Sequence, residues 1–326
     1  MVQMEYRTLG NTGMQLSAVG LGSWVTFGGS LDESGAVDCV KYAHDRGVNH
    51  FDTADTYERG TAERLLGAAL RRLELRRSSY CVTTKLYFGV HSSALEANTL
   101  NRKYLFSGID DSLTRLGLDH VDFLLCHRFD DKTAVEEVVR SMDMIVRSGR
   151  ALHWGTSEWP AVKLMEALQF AAQSGLQPPV LEQPEYNLLR RYKVEHEFRP
   201  FVQLKQLGLV TWSPLMSGLL TGKYGDGSVD SKRAGLPGLE WLRDRLQSPN
   251  VQRKLKAIED IARRLGMPMS DLALAWCLSN ADVCSVLLGV RSVEQLAANM
   301  KAMSSVERLD AAVKKELDDA VGLVCW

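Results

Sequence analysis

Residues 121–156, VDFLLCHRFDDKTAVEEVVRSMDMIVRSGRALHWGT, decide the fold. VDFLLCH at 121–127 is an almost unbroken apolar run, the pattern of a strand buried on both faces. The segment 134–148 puts Val135, Val138, Val139, Met142 and Ile145 on one helical face. ALHWGT at 151–156 is again short and apolar. Strand, amphipathic helix and strand in this order read as one parallel crossover unit, since parallel neighbours need a connection that returns along the sheet.

Working outward, the unit repeats. Further strand candidates are 19–22 (VGLG), 50–54 (HFDTA), 80–85 (YCVTTK), 180–186 (VLEQPEY), 209–214 (LVTWSP) and 284–290 (CSVLLGV), making eight with the first two. The helix at 62–73, AERLLGAALRRL, gathers Leu65, Leu66, Ala69 and Leu70 on one side. The first seven strands start about 30 to 40 residues apart, room for a strand, a helix and two loops. Eight such units predict an α/β fold, a closed (β/α)8 TIM barrel, as a single domain over 1–326. A doubly wound dinucleotide-binding sheet would want GxGxxG between a strand and a helix, and the glycines at 10, 13, 20 and 22 do not supply it. YRTLGNTGMQLSAV, ahead of the first strand, reads as an N-terminal β-hairpin. The long loop after strand seven, 215–283, holds GKYGDGSVDSKRAGLPG and then helices near 251–265 and 270–279. A connection of that length is usually functional.

Composition narrows the function. The 326 residues carry 39 Lys+Arg against 40 Asp+Glu, a net charge of −1, without the basic footprint of a nucleic-acid binder. No apolar run approaches the ~18 residues of a membrane-spanning helix. The start, MVQMEYRTLG, lacks the pattern of a secretory signal. Six cysteines without CxxC pairing read as reduced thiols, so a cytoplasmic location is expected. No histidine has metal-ligand spacing with another histidine or a cysteine, and no metal site is expected.

In a (β/α)8 barrel, chemistry sits at the C-terminal ends of the strands. Asp52, Lys85 and His127 fall at the ends of strands two, three and four, and Tyr57 lies in the loop after strand two. A buried lysine needs a partner, and pairing with Asp52 is the simplest solution. A tyrosine beside that ammonium would have its pKa lowered and could act as a general acid. Taken singly, each residue has a plainer reading: a structural ion pair, a loop aromatic, a core histidine. Four at matched positions point to a site.

The chain resembles the aldo-keto reductase superfamily through FDTADTY (51–57), TTK (83–85), LLCHRFD (124–130), HWGTSEW (153–159), EQPEYNLLRR (182–191), TWSPLMSGLLTGKY (211–224) and VLLGVRSVEQLAANM (286–300). Through GSWVTFGG (22–29), EQPEYNLLRR and LALAWCLSN (272–280) it is most similar to the voltage-gated potassium channel beta-subunit branch, without that branch's amino-terminal inactivation peptide. The resemblance implies NADPH-dependent reduction of aldehydes, ketones or quinones, with Asp52, Tyr57, Lys85 and His127 catalytic. It implies Ser157 and Gln183 at the nicotinamide carboxamide and Trp212 stacked on the ring. Ser213, Leu215 and Ser217 fall at the pyrophosphate, and Lys223, Arg233, Arg291, Gln295 and Asn299 around the 2′-phosphate and adenine. Trp24, Pro214, Gly218 and Gly289 complete the implied cofactor set. On residue type alone, Trp212 also reads as core packing, and Lys223, Arg233 and Arg291 as solvated charges. The resemblance implies a small carbonyl or quinone as partner, and the branch implies a homotetramer. The alternative function is an accessory channel subunit that uses bound NADPH as a redox sensor. Glu158 stands where many members carry Asn or Arg, Ala298 replaces a frequent Glu, and His127 stands where the channel branch often has Asn.

Overall fold

A computed structural model of the chain describes residues 3–223 and 240–323. Strands β1 (Tyr6–Thr8) and β2 (Gln15–Ser17) pair antiparallel, with Arg7 opposite Leu16, as the expected hairpin. Eight parallel strands follow: β3 (Val19–Gly22), β4 (His50–Asp52), β5 (Cys81–Leu86), β6 (Val121–Cys126), β7 (Ala151–Thr156), β8 (Leu181–Glu182), β9 (Gly208–Thr211) and β10 (Ser285–Gly289). They pair in sequence order, and β10 closes the circle between β9 and β3. This is the expected (β/α)8 barrel.

Helices α1 (Glu33–His44), α2 (Thr61–Arg72), α3 (Arg102–Leu116), α4 (Val135–Arg147), α5 (Ala161–Ser174) and α6 (Arg199–Gln203) alternate with β3 to β9. The long connection after β9 carries α7 (Glu240–Gln247), α8 (Pro249–Arg264) and α9 (Met269–Leu278); α10 (Val293–Lys301) and α11 (Ala311–Val321) follow β10. In α4, the five residues of the apolar stripe are buried, while Glu136, Glu137 and Arg140 face solvent. Helix ends carry local stops: Asp32 caps α1 by accepting from Gly35 N at 2.9 Å, and Asn101 caps α3 by accepting from Tyr104 N at 2.9 Å. Such a cap is typically worth ~1 kcal/mol.

Two apolar layers result. The larger lies between strands and helices; the smaller fills the barrel and includes Phe123, Leu125, Leu181, Val210 and Leu287. Leu9 and Leu16 of the hairpin, both fully buried, join the inner layer beside Cys81, Val180 and Cys284 at the strand starts, so the hairpin plugs that end. At Gly208 a Cβ would come within 2.3 Å of Leu9 Cδ1, so only glycine lets the hairpin seat this closely.

Several strands end a residue or two earlier than expected, 50–54 at Asp52 among them, and two end three or more residues early. The run 180–186 gives a ladder over 181–182 only, and 209–214 gives 208–211. Pro184 and Pro214 have no N–H to donate to a ladder, and among the described residues one bridge, Glu185–Trp212, continues the pairing of β8 with β9. The residues released there turn into the mouth of the barrel.

Candidate active site

At the open end of the barrel a cleft of about 510 Å³ is lined by Asp52, Tyr57, Phe88, His127 and Arg128, and it continues past Trp212 to Lys223, Gln295 and Asn299. Lys85 lies beneath it, fully buried at the end of β5. Its ammonium uses three donors on three oxygens: Asp52 Oδ1 at 2.5 Å, the Thr53 carbonyl at 2.8 Å and Tyr57 Oη at 3.2 Å. Gln183 Nε2 donates to the second carboxylate oxygen of Asp52 at 2.8 Å. The expected Asp52–Lys85 pair is therefore formed, and its polar atoms are met from three strand ends, those of β4, β5 and β8.

The electrostatics correct one expectation. Burial raises the Tyr57 phenol above the ordinary tyrosine value, and the Lys85 ammonium offsets this only in part. The reason is that Lys85 already sits against Asp52, whose negative charge cancels much of the field at Tyr57. Burial alone would lower the Lys85 pKa, but Asp52 and Tyr57 together hold it above the ordinary lysine value. His127 is driven well below the ordinary histidine value by burial and by the Lys85 and Arg128 charges, so its ring is neutral near pH 7. Its Nδ1 is buried without a partner among the described residues. The ring lies edge-on between Tyr57, at 5.7 Å between centroids, and Phe88, at 5.0 Å.

The loop carrying Tyr57 is fixed from both sides. Asp55 accepts a hydrogen bond from Tyr104 of α3, and Glu58 and Arg59 take positive φ values of 46° and 52° directly after Tyr57. Such backbone is unfavourable for non-glycine residues and persists where the surroundings impose it.

The residues expected at a nicotinamide cofactor divide in three. Trp24, Ser157, Gln183, Trp212, Ser213, Pro214, Leu215, Ser217, Gly218, Lys223, Gly289, Gln295 and Asn299 all line the cleft. Arg291 is exposed just ahead of α10 and is not part of the lining; its N–H donates to Gln295 Oε1 at 2.9 Å. Arg233 lies outside the described residues. Trp212 meets Trp24 edge-to-face at 5.7 Å. Ser213, Met216, Ser217 and Gly218 all have positive φ, so the backbone after β9 is folded into a tight bend along the cleft wall. An elongated groove with an aromatic wall, a bend of strained backbone and a lysine beyond it fits a dinucleotide.

Two features escaped the sequence reading. Glu158, flagged only as a departure, accepts from Trp212 Nε1 at 3.2 Å, from Glu185 N at 2.5 Å and from Lys193 Nζ at 2.6 Å. It therefore braces the indole from behind, and Lys193, far along the chain, gave no local signal. Arg128 lines the cleft next to His127, although an arginine just past a strand reads as solvated.

Behind the wall, Glu182 is fully buried, and burial raises its carboxyl from 4.5 to about 8. Thr156 Oγ1 lies 2.5 Å from its Oε2, while Oε1 has no partner among the described residues. The folded chain thus holds a proton that the unfolded chain releases near the ordinary glutamate value. Its stabilising contribution is full below that value and is lost as pH rises towards 8. The loss is on the order of 3–5 kcal/mol. Glu182→Gln keeps the neutral form at all pH, so the variant should gain on the wild type in urea midpoint between pH 5 and 8. A pH-independent difference between the two would exclude Glu182 as the responsible group.

A parallel barrel with polar side chains converging at its strand ends defines an enzyme-like scaffold. The sequence matches the model of the Aldo/keto reductase family over residues 18–321, and the chain belongs to that family. Members are oxidoreductases that reduce carbonyl groups with a nicotinamide cofactor. No helix among the described residues is long and apolar enough to cross a membrane.

Proposed function

We propose that the chain is an NADPH-dependent reductase of aldehydes, ketones or quinones in which Tyr57 is the general acid. The observation that carries this reading is the Lys85 ammonium, held 2.5 Å from Asp52 and 3.2 Å from Tyr57 Oη beneath an open cleft. The cofactor, when bound, supplies the hydride. Tyr57 Oη donates the proton to the carbonyl oxygen as negative charge develops there, and the Lys85 ammonium stabilises the phenolate left behind. Asp52 holds Lys85 in place and charged. Neutral His127, as its Nε2–H tautomer, leaves the partnerless Nδ1 unprotonated and donates to the same oxygen, which orients the carbonyl. Trp212, braced by Glu158, offers the flat wall for the nicotinamide, and Ser157 and Gln183 the polar groups for its carboxamide. Steady-state oxidation of NADPH with a panel of simple aldehydes, ketones and quinones tests the reading. A panel without turnover would refute it.

Preference for NADPH over NADH requires cations at the 2′-phosphate, which is close to doubly ionised near pH 7. Arg291 lies just ahead of α10, whose N-terminus also favours an anion. Removing one charge-assisted hydrogen bond costs ~1.5–3 kcal/mol, or about one to two powers of ten in affinity. Arg291→Met should weaken NADPH binding by that factor and leave NADH nearly unchanged. Dissociation constants for both cofactors, from quenching of tryptophan fluorescence, check this; equal losses would show that Arg291 does not read the phosphate.

A further inference from the structure

Arg128 is a cation inside the cleft with no ion-pair partner among the described residues. Its Nη1 donates to the His127 carbonyl at 2.5 Å and lies 3.5 Å from Ser157 Oγ, which ties the side chain to the cleft wall. The guanidinium carbon stands 5.5 Å from the centroid of the Phe88 ring. Nε and Nη2 carry no hydrogen bond among the described residues. The neighbouring carboxylates are otherwise engaged: Asp52 with Lys85, Glu158 with Lys193. Glu58 lines the same cleft but is exposed and forms no ion pair with Arg128.

A half-buried arginine gives up part of its hydration and recovers it only from an anion or from water. Its planar fork matches a carboxylate with two parallel N–H groups. Here the fork shares a wall with His127 and Tyr57, the two residues that would hold a reacting carbonyl. We propose that Arg128 selects the substrate: the cleft takes carbonyl compounds that carry a carboxylate a few bonds from the aldehyde or ketone. This rests on the reading of the cleft as a reductase site, and it adds the class of compound reduced.

The test uses 4-formylbenzoate and its neutral isostere 4-formylbenzamide. Binding of each to the NADP⁺-saturated protein, where no hydride is available, is measured by calorimetry; kcat/KM with NADPH is measured in parallel. The wild type should bind the carboxylate about 10- to 100-fold more tightly than the amide. Arg128→Met should abolish that ratio, and Arg128→Lys, which keeps the charge but not the fork, should retain part of it. Three outcomes would overturn the proposal: equal binding of the two compounds by the wild type, a ratio unchanged in Arg128→Met, or a loss of NADP⁺ affinity matching the loss of the carboxylate. The last would mean that Arg128 serves the cofactor. A preserved binding preference without NADPH oxidation would sink the reductase reading and leave the anion selectivity standing.

Discussion

Tyr57→Phe should lower turnover of a simple aldehyde by about 10²–10⁴-fold, the usual worth of a general acid. The ring would still pack at 5.7 Å against His127; only the proton and its oxygen are lost. Because the hydroxyl is the group 3.2 Å from Lys85 Nζ, the change leaves Lys85 with Asp52 and the Thr53 carbonyl. Affinity for NADPH should therefore stay close to wild type. The raised pKa of the phenol adds a pH signature. A neutral acid is available up to its pKa, so wild-type turnover should fall with rising pH only above the ordinary tyrosine value of about 10. Near-wild-type reduction by the Phe variant would end the assignment. A smaller effect on a quinone, which needs less help from an acid, would be compatible with it.

Lys85→Met should damage stability and turnover together. Methionine fills most of the lysine volume but leaves the Asp52 carboxylate buried without its cation. Breaking a buried pair from one side costs ~3–5 kcal/mol. Gln183 Nε2 remains on Asp52 and relieves only one of its two oxygens. Chemical denaturation measures the loss, and Asp52→Asn in the Lys85→Met background separates its causes. If the penalty is the orphaned charge, the double variant recovers stability but not turnover. An undiminished penalty in the double variant would place the cost in packing instead.

Much of the barrel was legible because its signals are local. Each buried strand is a short apolar run and each covering helix an amphipathic one, and both can be read within a dozen residues. The errors sit where that logic stops. The runs 180–186 and 209–214 contain prolines that a count of apolar residues overlooks, so the ladders end at Glu182 and Thr211. Asp52, Lys85 and His127 were found by position, because closure of the barrel brings successive strand ends together. Arg128 was passed over, since nothing in HRFD separates a cleft arginine from a solvated one. Glu158 was marked by its departure from the family, but its grip on Trp212 joins residues 54 positions apart.

By itself, the sequence determined the alternation of strand and helix, the closed barrel, the family, and which polar residues stand at the strand ends. These follow from hydrophobic burial, which is written into composition and period. The tertiary structure alone decided the charge states and the contacts. Burial and the Asp52 charge set the Tyr57 phenol above its ordinary value, where proximity to Lys85 had suggested the reverse. It also left Arg128 beside His127 without an ion-pair partner among the described residues, and it buried Glu182 as a raised-pKa acid. Solvation and Coulomb energies depend on distances and dielectric surroundings, and those exist only once remote segments have been brought together.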